Sequence, residues 1–515
     1  MNLRFCAIAD LVREHAALRP AQAALVHDER SLAYADLDAL MDRVAAALQR
    51  DGAAPCATIA ICASTSIEYA VVFLGALRAG VAVAPLAPSS TPEQLAAMLR
   101  DSGARLLFVD AAGAKALEGA SVDVGLRRIA LDGSSIGLAL SDWLAPVGAK
   151  PAAIETQPEW PFNIIYSSGT TGAPKGIVQP HSMRWAHVQR TESFGYSPRT
   201  VTLIATPLYS NTTLVVFFPT LAAGGTVVLM AKFDAAAYLR LAEHHRATHT
   251  MLVPVQYQRL MKLPGFDDHD LSAFEVKFCT SAPFHAEIKA EVLRRWPGGL
   301  VEFYGMTEGG GSCVLAAHLR PDKLHTVGQP AEGHEVKLID DEGREVAPGG
   351  TGEVVGRSGA MMSGYHGQPE KTAEAEWHDA AGRRFIRTGD IGRFDDEGFL
   401  ILLDRKKDMV ISGGFNVYPS DLEAVLRAHA EVADVAVVGV PSAAWGETPV
   451  AFVVPAAGAA ATARELKDWA NAQLGKTQRL ADVQLATALP RSAIGKVLKR
   501  ELREAYAGVT SRTNP

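Results

Sequence analysis

The chain has 515 residues, of which 48% are hydrophobic and 21% charged, and it carries a formal net charge of -7 at pH 7. That length exceeds what one hydrophobic core supports, so at least two domains are expected. The balance is that of an ordinary soluble globular protein; it offers neither the basic footprint of a nucleic-acid binder nor a polybasic membrane anchor.

Asp10, Arg13 and Glu14 interrupt the N-terminus before a secretory pattern can form, and the apolar run Tyr69 to Leu77 stops at Arg78, short of a membrane span. Leu37, Leu40, Val44 and Leu48 fall on one helical face after Tyr34 and Asp36. Thr58 to Cys62 then reads as a strand, Ile67 to Arg78 as a helix and Val81 to Leu86 as a strand. A helix (Pro92 to Arg100) and a strand (Arg105 to Val109) follow. Such alternation with short connections predicts a parallel sheet covered by helices. Ala111 to Pro158 is weakly patterned and is expected to be a link. Cys6, Cys56, Cys62, Cys279 and Cys313 are odd in number and lack metal-ligand spacing, which predicts reduced, mostly buried thiols in a cytoplasmic protein.

After a strand-like run, Phe162 to Ile165, comes the stretch Tyr166-Ser-Ser-Gly-Thr-Thr-Gly-Ala-Pro-Lys-Gly176. Gly169, Gly172 and Gly176 let backbone N–H groups turn towards one point, and the hydroxyls of Ser167, Ser168, Thr170 and Thr171 add donors. Lys175 supplies a mobile positive charge. A triphosphate wants many convergent donors of this kind. The common P-loop is excluded, because Lys175 is followed by Gly176 and not by Ser or Thr. A plain turn is the alternative that composition alone allows.

The alternation then resumes. Thr200 to Ala205, Thr226 to Met230, Thr248 to Val253 and Glu275 to Cys279 read as strands; Leu214 to Leu221, Ala235 to His245 and Ala286 to Arg295 read as helices. A last strand, Leu300 to Phe303, runs into Tyr304-Gly-Met-Thr-Glu308. A carboxylate just past a parallel strand can hold magnesium between phosphates, and Tyr304 can stack on a purine; a solvated Glu and a half-buried Tyr are the plainer reading. From Val336 to Leu402, short strands and Gly-rich turns predict a β-rich subdomain. In it, Arg387-Thr-Gly-Asp390 offers a carboxylate suited to two vicinal ribose hydroxyls, or to capping its own turn. A domain boundary is expected near Asp404 to Asp408, dividing the chain into 1–404 and 405–515. Arg405 and Lys407 stand there in a cationic run that reads equally as a solvated face. Beyond it, strands Val432 to Val440 and Val450 to Val454 flank Trp445, and a helix runs from Thr462 to Leu474. Lys496 follows a glycine near the end: either a surface residue, or a cation aimed at a transition state in which two anions join.

The phosphate-loop string resembles that of the adenylate-forming superfamily of acyl-CoA synthetases, adenylation domains and luciferases. The family's other motifs follow in its order between Leu32 and Leu502. The resemblance implies an α/β fold: a large N-terminal domain with parallel sheets covered by helices plus a β-rich subdomain, and a small mobile α+β C-terminal domain. It implies that Glu308 holds magnesium, that Thr307 approaches the α-phosphate, and that Ser281-Ala282-Pro283 lines the adenine beside Tyr304. Asp390 would bind the ribose and Arg405 the nucleotide; Lys407 falls at the hinge, Gly413 and Gly414 at the thiol channel, and Lys496 at the C-terminal catalytic lysine. Trp445 is similar to a Trp of aryl-CoA ligases that stacks on the CoA adenine, a core Trp being the alternative. Tyr209, Ser210, Gly309, Gly310 and Gly311 are expected to line the acyl group. Relatives often carry an aromatic or His where this chain has Ser210, and bulkier residues where it has the glycines. A roomier or more polar acyl site is therefore expected, unless the glycines serve only to turn the chain.

The activity so implied is that of an ATP-dependent carboxylate–CoA ligase, most like the benzoate- and chlorobenzoate-type enzymes. ATP and an aromatic, alicyclic or medium-chain acid would give acyl-AMP; the small domain would rotate about Lys407, and the CoA thiol would then attack. ATP, Mg2+ and coenzyme A are the implied cofactors and a small-molecule carboxylic acid the partner. No nucleic acid and no integral membrane contact are expected, and the resemblance leaves room for a homodimer. The rivals are an enzyme loading an acyl carrier protein and a non-catalytic adenylate-binding regulator.

Overall fold

In the computed structural model, the described residues are 4–121, 125–167, 175–412, 415–442, 445–475, 478–492 and 495–513. They group into two units: Met1–Val336 with Gly356–Ile386, and Lys337–Val355 with Arg387–Pro515. The boundary expected near Asp404 to Asp408 falls inside the second of these.

The first unit is built on two sheets. In one, strand Thr58–Cys62 lies between Ala82–Leu86 and Leu106–Val109, parallel to both. The helix Ile67–Arg78 connects the first pair and buries every residue except Glu68, which explains why its sequence is apolar all round instead of on one stripe. Ser66 caps it by accepting from the Tyr69 N–H, and a reciprocal Thr91–Gln94 box starts the helix Pro92–Ser102. The segment Ala111 to Pro158 is not a mere link. It contributes the helix Ala111–Ala116, the strand Arg127–Ala130 paired in parallel with Leu106–Val109, and an edge strand Leu138–Ala139. These strands are short, and Arg127 is exposed while Ile129 and Ala130 are buried, so no alternating pattern marked them.

In the other sheet Val201–Ile204, His249–Leu252, Val276–Cys279 and Gly299–Tyr304 pair successively in parallel. Their C-terminal ends therefore open along one edge, the place where α/β sheets hold ligands. On the opposite flank Thr226–Leu229 pairs with the N-terminal strand Ala23–His27. Between the layers Phe73, Phe162 and Phe218 meet at 4.8–6.0 Å between ring centroids.

In the second unit, residues Asp390 to Phe394 pair antiparallel with the strand Leu400–Arg405. A long hairpin, Val432–Ser442 with Gly446–Pro455, carries Trp445 beside its turn. Strand Asp482–Leu485 adds to it in parallel. Val435 and Val437 face one core with Leu422, Leu426 and Leu466; Ala436 and Val438 face another with Phe452 and Leu502. Both faces being covered, the strand reads as a continuous apolar run. No helix among the described residues is long and apolar enough to cross a membrane.

Candidate active site

Strand Pro161–Ser167 turns back as Lys175–Pro180, with Tyr166 opposite Gly176 and Ser167 opposite Lys175. The predicted donors Ser168, Gly169, Thr170, Thr171 and Gly172, and the side chain of Ser167, lie outside the described residues, as do Gly413 and Gly414. The hairpin's second strand also pairs with Gly364–Tyr365, setting Tyr365 opposite Ile177. The His366 N–H donates to the Gly176 carbonyl at 2.7 Å and fixes that register. As a result the Lys175 ammonium stands 4.9 Å from the centroid of the Tyr365 ring, within cation–π range. The Tyr365 hydroxyl donates to Glu308 Oε1 at 2.9 Å. Burial, and then the Glu308 charge, push the Tyr365 phenol well above its ordinary pKa, so it stays a donor. Tyr365 was missed in the sequence because it stands alone, far along the chain from either partner, in no motif.

Glu308 is held by its backbone: its carbonyl accepts from the Met362 N–H at 2.8 Å, and Gly309 bridges to Met361. The Thr307 carbonyl accepts from Gln179 Nε2 at 2.6 Å, which ties this motif to the hairpin strand. Tyr304 is buried. Among the described residues no cluster of three or more His, Cys, Asp or Glu forms a metal cage. A single carboxylate with one oxygen taken by a phenol fits magnesium, which characteristically fills its octahedron with phosphate and water oxygens.

Two further segments leave the same sheet edge. Ser281, after Val276–Cys279, has φ +83°, a conformation that costs a non-glycine residue about 1–3 kcal/mol and tends to mark functional sites. Its hydroxyl is 2.6 Å from that of Thr212, and Ala282 and exposed Pro283 follow. After Val201–Ile204 the chain runs through Tyr209 and buried Ser210 into the helix Asn211–Ala222. Burial raises the Tyr209 pKa, against a hydrogen bond from Ser89.

The glycines after Glu308 correct an expectation. An added Cβ at Gly309 would stand 2.0 Å from the Ala360 carbonyl oxygen, at Gly310 2.8 Å from that of Gly356, and at Gly311 2.6 Å from that of Glu335. Gly309 and Gly310 also have φ of +75° and +93°. The directions that side chains would take are filled by neighbouring backbone, so the run opens no space for an acyl group. It lets two stretches of main chain approach.

The second unit carries the remaining candidates. Asp390 and Arg405 are opposite one another in the sheet, and Arg405 Nε meets Asp390 Oδ1 at 2.6 Å. The Thr388 hydroxyl donates to the Val354 carbonyl and accepts from the Asp390 N–H, which fixes the turn. Lys407 is exposed; its pKa is lowered by partial desolvation, against the pull of Asp408 and with the push of Arg405. Lys496 reaches solvent as a residue, yet its ammonium sits in a crowded setting. Desolvation, then the cations Arg405 and Lys407, draw its pKa down to about 8, against Asp390 and Asp408. Trp445 is 60% exposed, which rules out a core role.

The AMP-binding enzyme model matches residues 12–366, and the model for the AMP-binding enzyme C-terminal domain matches 421–496. The chain is 33% identical to an indoleacetate–CoA ligase of Aromatoleum aromaticum, over 98% of this chain and 99% of that one. It is 32% identical to a fatty acid–acyl-carrier-protein ligase of Streptomyces coeruleorubidus, over 97% and 96%. ATP-bound MatB from Rhodopseudomonas palustris superposes with a TM-score of 0.84 at 29% identity, over 97% of this chain and 99% of that one. The hairpin, the Glu308 motif and these matches together give one answer: the chain belongs to the AMP-binding enzyme family of adenylate-forming enzymes.

Proposed function

We propose that the chain is an ATP-dependent carboxylate–CoA ligase, acting on an aromatic, alicyclic or medium-chain acid. The observation that carries this reading is the meeting of Lys175, Tyr365 and Glu308, a cation and a carboxylate organised around one phenol. Lys175 would take phosphate oxygens. Glu308 would hold magnesium, which supplies positive charge to the phosphates when bound. Asp390 would accept both ribose hydroxyls, with Arg405 keeping its carboxylate in place. The acid's carboxylate attacks the α-phosphate, the bond to pyrophosphate breaks, and Lys496 offsets charge gathering on the α-phosphate oxygens. The acyl-AMP then has a good leaving group for attack by a thiol. Rotation of the C-terminal residues about Lys407 would separate the two steps. Pyrophosphate release screened over benzoates, cinnamates, alicyclic and medium-chain acids, with and without CoA, tests the reading. Release with none of them would sink it.

A carrier-protein thiol is the second reading, favoured by the likeness to a carrier-protein ligase. The exposed Trp445 supports free CoA, because an aromatic face left in water can stack on adenine. Trp445→Ala should raise the Michaelis constant for CoA about tenfold, a stack being worth roughly 1–3 kcal/mol, and leave pyrophosphate formation alone. An unchanged CoA dependence would point to the carrier protein.

The Lys496 ammonium must be charged to act, and charge is lost as pH rises through its pKa of about 8. At subsaturating ATP, acyl-AMP formation should be level below that pH and fall about tenfold per unit above it. Lys496→Arg, slower at neutral pH, should show no such fall, since a guanidinium keeps its proton. A parallel fall in both proteins would assign the titration to another group.

A further inference from the structure

Three polar side chains meet behind the acyl segment and fix the orientation of a fourth group. Gln179 and Arg184 are fully buried, on the strand Lys175–Pro180 and the helix His181–Val188. Asn211 is half-buried and directly follows Ser210, as the first residue of the helix Asn211–Ala222. Arg184 Nη2 donates to Gln179 Oε1 and, at 2.8 Å, to Asn211 Oδ1. Gln179 Nε2 donates to the Thr307 carbonyl at 2.6 Å and to Asn211 Oδ1 at 3.3 Å.

The polarity of this network is forced. A guanidinium only donates, so both amides must turn their oxygens to Arg184. Asn211 thereby presents its NH2 group elsewhere, and that group has no partner among the described residues. Arg184 itself is an extravagant anchor. Its Nε and Nη1 are buried without acceptors, and no carboxylate pairs with it among the described residues. Tying a strand to a helix needs one hydrogen bond, not an uncompensated buried cation, which is costly. Its effect here is to lock one amide and to place positive potential behind it.

We infer that Asn211 is a specificity-determining residue of the acyl site, its NH2 donating to an oxygen acceptor on the acyl part of the acid, with Arg184 and Gln179 as positioning residues. The preferred acids then carry a carbonyl, ether or carboxylate oxygen at that place. The inference rests on the ligase reading and on Ser210 walling the acyl group.

The test compares kcat/KM for pyrophosphate release on matched acids: methoxy- against ethyl-substituted cinnamates and benzoates, and keto against unsubstituted medium-chain acids. The wild type should favour the oxygen-bearing member of a pair by about ten- to a hundredfold. Asn211→Leu should erase that ratio. Asn211→Asp, which can still accept from Arg184 but turns an acceptor outwards, should favour hydroxy over methoxy acids. Arg184→Met should lower the ratio without changing the Michaelis constant for ATP, and Arg184→Lys should restore part of it. An equal ratio in wild type and Asn211→Leu, or a uniform fall over all acids, would overturn the inference and leave the ligase reading standing. Pyrophosphate release with no acid at all would remove both.

Discussion

Lys496→Ala is expected to slow acyl-AMP formation by about a hundred- to a thousandfold, the cost of removing one preorganised group aimed at transition-state charge. The chemistry demands a cation there. The incoming carboxylate and the α-phosphate are both anions, and pyrophosphate leaves as a third. Lys496 is suited to the task because it is already partly desolvated, which brings its pKa to about 8 and strengthens its interaction with an approaching phosphate. Thioester formation from supplied acyl-AMP should be nearly unaffected, since no charge then develops on the α-phosphate beyond what AMP already carries. The two half-reactions are measured separately, by pyrophosphate exchange and by acyl-CoA formation from synthetic acyl-AMP. An equal loss in both would refute the assignment of Lys496 to the first step alone.

What could be read from the sequence was whatever local chemistry dictates. Strand Thr58–Cys62 and helix Ile67–Arg78 were legible to the residue, because apolar runs between polar breaks have only one comfortable period. The motif ending at Glu308 was legible because it follows a strand whose C-terminal end must open on the ligand edge. Three things were not. The edge strands within Ala111 to Pro158 are too short to show a period. Tyr365 reaches Glu308 only because a distant strand joins the phosphate hairpin, and pairing across such a separation leaves no local mark. The glycines after Glu308 were read for the space they lack, when their spacing serves a close approach of main chain that a sequence does not display.

That last point yields the second large effect. Gly309→Ala should destabilise the first unit by about 3–5 kcal/mol, before any question of substrate arises. The left-handed backbone at φ +75° costs a residue with a Cβ roughly 1–2 kcal/mol. The Cβ would then lie 2.0 Å from the Ala360 carbonyl oxygen, and the clash is with backbone, which cannot swing aside as a side chain would. Relief requires opening the Gly309–Met361 bridge and the Gly310 N–H bond to Ala360, losing hydrogen bonds that also position Glu308. Gly333→Ala is the control: its φ is +73°, but nothing stands within 4 Å of an added Cβ, so only the backbone cost of about 1 kcal/mol applies. Urea titration followed by tryptophan fluorescence would compare the first unfolding midpoints of the two variants. Gly310→Leu should behave like Gly309→Ala, melting early and losing activity on every acid alike, because its Cβ is 2.8 Å from the Gly356 carbonyl oxygen. Small and equal shifts for Gly309→Ala and Gly333→Ala would show that the main chain can yield there. A Gly310→Leu enzyme of normal stability with preference moved to narrower acids would return the glycines to the acyl pocket.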